Sequence, residues 1–332
     1  RLHAGRLRQG YAALGELLID FTPAGVSAQG HPLYEQNPGG APANVAAAIA
    51  RQGGKSALLS AVGADMFGDF LTQAVAREGV DVSGIQRFDE AVTTMAFVSL
   101  DAHGDRSFCF ARKPGADMLL SAARLPLGLL RACGIFHYGS ISMGAPASRE
   151  ATLFAARGAL AAGALLSYDP NWRANLWSDR GEGLARMREG LAPANVCKLS
   201  LEELELLAGT DGLEAGTQAL LAAHPALRLA VVTLGPDGCF YRLGEKTGRL
   251  PTYDVAVVDT TGAGDAFWGC FLASLAADPG LLGRDAEDGL TRALALANAA
   301  GSFCAGGRGA ISALPTGAQT AKLAAEGPLL RR

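Results

Sequence analysis

The 332-residue sequence has almost no excess charge of either sign, since 29 lysines and arginines stand against 32 aspartates and glutamates and the net charge is -3. Without a basic surplus, no field would attract a nucleic-acid backbone or an anionic membrane. The sequence also lacks any apolar run that approaches the ~20 residues of a membrane-spanning helix. We therefore expect no nucleic-acid or membrane partner and favour a small-molecule substrate.

Cysteine is present but without any metal-site or redox pattern, because none of the 6 cysteines has CxxC or Cys/His spacing. Their scatter through apolar segments predicts reduced, buried side chains and a cytoplasmic location. The first ten residues, RLHAGRLRQG, lack the apolar stretch of a signal peptide. We expect residues 1–9 to be an N-terminal extension outside the fold.

Short apolar β-type runs alternate with longer Ala- and Leu-rich helical patterns along the chain. The predicted strands are YAALGELLID, ALLSAVG, GIFHYGS, GALLSYD, VCKLS and LRLAVVTLG, and the predicted helices between and after them include APANVAAAIARQ, SREATLFAARGALAAG and DAFWGCFLASLAAD. This alternation predicts a mostly parallel sheet covered by helices, with ligands beyond the carboxyl ends of the strands. We find no repeat or linker and predict one domain over residues 10–332.

Two regions depart from this alternation. Residues 21–38 are interpreted as a loop. Residues 85–112 contain two β-type runs, TTMAFVSL and RSFCFAR, separated by DAHGD, which is typical of a hairpin turn. Such strands could form a lid over the strand ends, and a plain surface hairpin is the alternative.

The stretch NPGGAPANVA places two glycines, Gly39 and Gly40, just before a helix that carries Asn44 in its first turn. Glycines let a ligand approach the backbone, and an amide can donate to one hydroxyl and accept from another, which suits a polyol. Asp20, at the end of the first predicted strand, could accept from two sugar hydroxyls. An ordinary helix start and a turn-forming aspartate are the alternatives.

The stretch VVDTTGAGDAFWG runs from a β-type segment through a small-residue turn into a helix with Asp265 at its start. Free N–H groups at such a turn can stabilise an anion, so Gly262, Ala263 and Gly264 could meet a transferred phosphoryl group. Asp265 could then take the proton of the attacking hydroxyl. The alternative is an aspartate that only caps its helix.

Two other phosphate motifs are excluded. A dinucleotide-binding turn needs a small third residue, where this chain has Phe267, and no GxxxxGK[ST] sequence is present.

Together, GGAPANVA and DTTGAGDAF resemble the two signature motifs of the ribokinase-like (PfkB) carbohydrate kinases, in the family's order. Other segments, among them HYGSIS, SYDPNWR and KLSLEEL, look most like the fructokinases of that family. The resemblance implies a three-layer α/β/α fold with a small β-sheet lid from about residues 20–38 and 85–115. It also implies ATP-dependent phosphorylation of a sugar hydroxymethyl group.

The resemblance assigns roles by position. Asp265 is the base, and Gly262, Ala263 and Gly264 form the anion hole. The sugar-contacting positions are Asp20, Gly39, Gly40, Asn44, Phe97, Phe110, Arg112 and Arg173. The ATP positions are Lys198, Thr233, Gly235, Gly238, Asn298 and Gly301. Read locally, Thr233 could equally be a plain strand residue and Asn298 a packing amide.

Family members often carry Asn-x-x-Glu near Mg²⁺-bound phosphate, and here Ser200 replaces the asparagine while Glu203 is kept. The resemblance thus implies that Glu203 reaches Mg²⁺ through water, as suits an ion that keeps several waters on phosphates. Asp259 and Thr261 match a monovalent-cation site that could bind K⁺. The family also suggests a homodimer formed through the lid.

The sequence favours D-fructose, phosphorylated at its 6-hydroxyl, as the substrate. A 2-keto-3-deoxygluconate kinase or another PfkB sugar kinase is the alternative, because Arg112 and Arg173 also match carboxylate-recognising positions and arginine suits a carboxylate. A non-catalytic sugar or nucleotide sensor is the less favoured class, since Asp265 and the anion-hole residues are all present.

Overall fold

The computed structural model describes residues 10–100, 106–283 and 287–330, without the side chains of residues 99–100 and 106–108. The strands are β1 (Tyr11–Leu14), β2 (Leu18–Val26), β3 (Pro32–Gly39), β4 (Ser56–Gly63), β5 (Asp81–Phe88), β6 (Met95–Leu100), β7 (Arg106–Ala111), β8 (Ile135–Tyr138), β9 (Leu165–Tyr168), β10 (Val196–Ser200), β11 (Leu229–Thr233), β12 (Cys239–Leu243) and β13 (Lys246–Leu250). The helices are α1 (Ala41–Arg51), α2 (Met66–Arg77), α3 (Leu127–Ala132), α4 (Pro146–Ala161), α5 (Arg180–Leu191), α6 (Leu201–Ala208), α7 (Leu213–Ala223), α8 (Ala263–Ala277), α9 (Glu287–Ala305) and α10 (Gly317–Glu326).

The central sheet has the strand order β13-β12-β11-β10-β9-β8-β1-β4-β5. Its strands pair in parallel except for β12 and β13, which add an antiparallel edge. Successive side chains of a strand point to opposite faces, so Leu14 of β1 joins the core on one side while Tyr11 joins the core on the other.

Helices cover both faces of this sheet. Apolar side chains of α4, α5, α6 and α7 pack in one core, and those of α1, α2, α8 and α9 pack in the core of the opposite face. The predicted three-layer α/β/α architecture with a mostly parallel sheet is therefore confirmed. No helix in the described ranges is long and apolar enough to cross a membrane.

A separate four-stranded sheet has the order β3-β2-β6-β7, and we refer to it as the small sheet. The rings of Phe21 and Phe97 stack on it with centroids 4.9 Å apart, and Tyr34 meets Phe97 edge-on. The small sheet confirms the expected second β-layer. The predicted DAHGD turn lies outside the described residues.

The boundaries of the small sheet differ from the prediction. Residues 21–38, interpreted from the sequence as a loop, lie almost entirely in β2 and β3. The stretch YAALGELLID, predicted as one strand, is divided between β1 of the central sheet and β2 of the small sheet. Residues 85–88, placed in the lid by the prediction, complete β5 of the central sheet. Pro23 and Gly25 hide the strand character of the second half of β2, and the ladder with β3 shifts register between Pro23 and Val26.

Candidate active site

The start of helix α8 forms a turn that only glycine can make. Gly262 has φ 76°, and a Cβ added to it would lie 2.6 Å from Cβ of Ala310. The N–H of Ala263, which the prediction counted in the anion hole, instead donates to Thr260 O at 3.2 Å. In the described part of the chain, the next two N–H groups, of Gly264 and Asp265, meet no acceptor. These two N–H groups, and that of Gly262, which also meets no acceptor among the described residues, lie at the positive end of the helix dipole and are free to meet an anion.

Asp265 is held against helix α1. Its Oδ2 accepts a hydrogen bond from Nδ2 of Asn44 at 2.8 Å. Burial raises the pKa of Asp265 from 3.8 to about 6, while Lys198 and the Asn44 hydrogen bond act in the opposite direction. The carboxylate is therefore still mainly ionised at neutral pH and can accept a proton.

Asp20 lies on β2, where the small sheet leaves the central sheet. A Cβ on Gly39 would lie 2.2 Å from Oδ2 of Asp20, so the glycine is what gives this carboxylate room. Burial raises the pKa of Asp20 from 3.8 to about 6, and the negative charge of Asp265 adds to the rise against the lowering effect of Arg173. Two carboxylates thus face one space, at a cost to stability.

We expect Asp20→Asn to stabilise the protein, and to do so in a pH-dependent way. The wild-type carboxyl has a folded pKa above its unfolded value, so it costs no stability below about pH 4, an increasing amount up to about pH 6, and a constant amount above that. The gain in unfolding free energy should reach about 1–2 kcal/mol at pH 8, after allowance for screening. Thermal melts of both proteins between pH 4.5 and 8 measure it, and a difference that does not grow with pH contradicts it.

A second charged group lies at the ends of β9 and β10. Lys198 Nζ donates to Oδ2 of Asp169 at 2.5 Å, and both side chains are buried. A Cβ on Gly264 would lie 3.4 Å from Lys198 Nζ, which shows how close the ammonium is to the free N–H groups of α8. The nearby carboxylates, first Asp169, raise the pKa of Lys198 against the effect of burial, so it stays charged. An ammonium here adds positive charge to the α8 turn.

Two acidic residues, Asp169 and Glu16, line the same pocket as Asp20 and Asp265 but were not identified from the sequence. Asp169 is one residue beyond β9 and is only 2% exposed. Glu16 lies between β1 and β2, and its Oε1 accepts from the N–H of Ala41 in the first turn of α1 at 2.9 Å. Burial raises the pKa of Glu16 to about 7. Asp169 ends the predicted strand GALLSYD, which is the signal that the prediction used only for Asp20, whereas Glu16 lay inside the predicted strand YAALGELLID and carried no such signal.

Glu203 begins helix α6 in a capping box with Ser200. Its two carboxylate oxygens accept from the N–H groups of Trp172 and Ser200, each at 2.7 Å. No cluster of three or more histidine, cysteine or acidic side chains in the described ranges could hold a metal ion. Both carboxylate oxygens of Glu203 are already bonded to backbone N–H groups, so this side chain suits a contact with a cation through water, and its role with Mg²⁺ stays a prediction.

Asp259 ties the α8 turn to the loop that follows α9. Its Oδ1 accepts from the N–H and hydroxyl of Thr261, and its Oδ2 accepts from the N–H of Gly309 at 3.1 Å. The two predicted cation residues are thus in direct contact, beside the Gly262 turn. Binding of K⁺ by the loop of Asp259 and Thr261 stays a prediction.

A pocket of about 420 Å³ brings most of the predicted sugar and catalytic positions together. Of all the predicted site residues, those that line it are Asp20, Gly40, Asn44, Phe110, Arg173, Lys198, Glu203, Thr261, Gly262, Gly264 and Asp265. Gly39 lies directly behind Asp20. Phe97 and Arg112 do not line it: Phe97 stacks within the small sheet, and Arg112 is paired with Asp117.

The remaining predicted ATP positions lie outside this pocket. Thr233 ends β11 and pairs in register with Ser200, which does line the pocket. Gly235 and Gly238 form the turn that follows. On α9, Asn298 donates to Pro251 O at 3.2 Å, and Gly301 lets that helix approach Ala263 O. Their role with nucleotide stays a prediction.

Comparison with known proteins identifies the family. The model described as pfkB family carbohydrate kinase matches residues 9–317. Fructokinase-1 of Oryza sativa subsp. japonica is 44% identical over 313 residues, which cover 94% of this chain and 96% of that protein. The structure of a Xylella fastidiosa fructokinase with bound ATP matches with a TM-score of 0.89 and 35% identity, over 96% of this chain and 99% of the other. A Vibrio cholerae O395 fructokinase with fructose, ADP and calcium ion bound matches with a TM-score of 0.84 and 35% identity, over 95% and 98%. The chain is a sugar kinase and belongs to the PfkB family of carbohydrate kinases.

Proposed function

We propose that this protein transfers the terminal phosphoryl group of ATP to the 6-hydroxyl of D-fructose, giving fructose 6-phosphate and ADP. One observation carries the proposal: a partly buried carboxylate, Asp265, lies on the same helix start as the two free N–H groups of Gly264 and Asp265, at the wall of a pocket of about 420 Å³. Similarity to proteins named fructokinase supports the choice of sugar.

The proposed chemistry is an in-line displacement. The fructose O6–H gives its proton to Asp265 as O6 forms a bond to the γ-phosphorus, and the bond from that phosphorus to the bridging oxygen breaks, with its electron pair leaving on ADP. The charge spread over the transferred group meets the N–H groups of Gly264 and Asp265 and the ammonium of Lys198. Positioning and charge stabilisation of this kind account for most of the catalysis in phosphoryl transfer.

The sugar is proposed to lie between the small sheet and α8. Asp20 offers carboxylate oxygens to its hydroxyls, and Oδ1 of Asn44 is a buried acceptor with no partner in the described part of the chain. An unsatisfied buried acceptor next to the base is the kind of group that a hydroxyl donor would satisfy. The side chains on this wall thus suit a polyol.

The nucleotide is proposed to lie on the β10 and β11 side of the pocket, with its phosphates directed towards α8. A Mg²⁺ ion on those phosphates would be held through water by Glu203 and would neutralise their charge. The loop of Asp259, Thr261 and Gly309 is the proposed site of K⁺. These roles are the ones that the family resemblance implies; Glu203 and Thr261 support them by lining the pocket, and the hydrogen bond from Gly309 to Asp259 joins the loop into one unit.

The state of Arg112 favours a neutral sugar over a sugar acid. Its Nε and Nη2 both donate to Oδ2 of Asp117, at 3.0 and 2.6 Å, and the pair is nearly fully buried. A guanidinium already bonded to an internal carboxylate is poorly placed to bind the carboxylate of 2-keto-3-deoxygluconate. Only Arg173, which is exposed, remains for that purpose.

Steady-state kinetics with fructose, 2-keto-3-deoxygluconate, ribose and adenosine test the choice of substrate. We expect the highest kcat/KM for fructose and a loss of about tenfold or more for the acid, because its carboxylate would face Asp20 and Glu16 with the exposed Arg173 in place of the buried, already paired Arg112. A kcat/KM for 2-keto-3-deoxygluconate that exceeds the value for fructose overturns the assignment while leaving a sugar kinase.

A further inference from the structure

We propose that Asn44 is a positioning residue for Asp265: its amide N–H fixes the direction of the carboxylate and leaves Oδ1 of Asp265 as the oxygen that receives the proton. The inference rests on the proposed function, in which Asp265 is the base. It adds a task for Asn44 beyond a contact with the sugar.

The direction of the Asn44 amide follows from charge. Its Nδ2 lies 2.8 Å from Oδ2 of Asp265, and an ionised carboxylate accepts a hydrogen bond from an N–H but repels an amide oxygen. The amide oxygen is therefore turned away, and it has no partner in the described part of the chain. No hydrogen bond from the described residues reaches Oδ1 of Asp265. The amide thus occupies one carboxylate oxygen and leaves the other open.

Helix packing holds the two residues in register. Asn44 is in the first turn of α1, where its own N–H donates to Gly40 O, and it is 5% exposed. One turn further along each helix, Ala48 lies against Gly269, where an added Cβ would be only 2.5 Å from Cβ of Ala48. The absence of a side chain at Gly269 therefore lets α1 approach α8 closely enough for the Asn44–Asp265 hydrogen bond.

The hydrogen bond also affects how Asp265 titrates. It lowers the pKa of Asp265 against the effect of burial, which leaves that pKa at about 6. Lys198, Asp169 and Arg173 are other charged groups that act on this carboxyl, and Asp20 faces it across the pocket; all four are unchanged when Asn44 is replaced. Loss of the amide should raise the pKa of the base, so the acid limb of the kcat profile should move to higher pH.

Two variants separate positioning from sugar contact. Asn44→Leu keeps the volume of the side chain but removes the amide donor to Asp265. We expect kcat to fall about ten- to a hundredfold near pH 6.5 and by less at pH 8.5. This is the size of effect expected for the loss of a hydrogen bond to a charged group. Gly269 lies outside the pocket. Gly269→Ala should also move the acid limb of the kcat profile to higher pH, with little change in the KM for fructose. Gly158→Ala, a helical glycine whose added Cβ meets only Leu130 at 3.8 Å, is its control and should behave as wild type.

A double-mutant cycle with Asp265→Asn tests whether Asn44 acts through Asp265. If Asn44 acts through Asp265, Asn44→Leu should lower kcat in the wild-type background but little in the Asp265→Asn background. An equal loss in both backgrounds, with no shift in pH profile, overturns the positioning role and leaves Asn44 as a sugar contact. Full activity of Asp265→Asn alone would instead refute the proposed function itself, so the two failures are distinguishable.

Discussion

Replacement of Asp265 by asparagine is expected to lower kcat by about 10²- to 10⁴-fold, the usual range for the loss of a general base. Asparagine keeps the shape of the side chain but cannot take the proton of the fructose 6-hydroxyl. Binding of fructose should change much less, because Asp20 and the free Oδ1 of Asn44 remain in the pocket. Single-turnover kinetics measure the rate, and calorimetric titration measures sugar affinity.

Asp211→Asn is the matched control, because this exposed aspartate precedes α7 and is not among the residues that line the pocket. It should keep wild-type kcat. A loss of fructose binding as large as the loss of kcat in Asp265→Asn would assign this carboxylate to sugar binding, and turnover that survives nearly intact would show that another group takes the proton.

Replacement of Gly262 by alanine is expected to reduce kcat at least about 10²-fold, comparable to the loss of an oxyanion-hole donor. The added Cβ would lie 2.6 Å from Cβ of Ala310, so either the α8 turn or the loop after α9 must move. The positive φ of Gly262 adds a backbone cost of about 1–2 kcal/mol. Both effects displace the N–H groups that are proposed to meet the phosphoryl group.

Gly209→Ala separates the backbone cost from the steric one. Gly209, which follows the last residue of α6, also has a positive φ, 68°. An added Cβ there meets no atom within 4 Å. It should lose only the part of the stability that the backbone cost accounts for, measured in a melt, and should keep its kcat. Equal kcat losses in the two variants would mean that stability, not the geometry of the anion hole, limits activity.

The fold could be predicted from the sequence to the extent that local pattern determines it. The strands of the central sheet that carry the site, such as β10 and β11, are short apolar runs, and α1 and α8 follow glycine-rich turns that mark their starts. The part of β2 after Asp20 could not be recognised, because its Pro23 and Gly25 disfavour a strand locally and its pairing with β3 and β6 is visible only in the fold. Helix α5 carries three glycines among its charged residues, which disfavour a helix locally, and it was not predicted either.

The same limit applies to the site. Asp265, Asn44 and Asp20 stand next to motifs with a recognisable local form, so they could be named in advance. The roles of Asp169 and Glu16 depend on contacts across the fold, with Lys198 and with the start of α1, which no spacing in the sequence reveals. The pairing of Arg112 with Asp117 is likewise visible only in three dimensions, and it changes which sugar the site favours.

A crystal structure with fructose and a non-hydrolysable ATP analogue tests the central claim most directly. We predict that O6 of fructose lies about 3 Å from Oδ1 of Asp265 and faces the γ-phosphorus, while Asn44 keeps its hydrogen bond to Oδ2. A structure in which another hydroxyl faces Asp265, or in which the γ-phosphate lies away from the N–H groups of Gly264 and Asp265, would contradict the proposed mechanism.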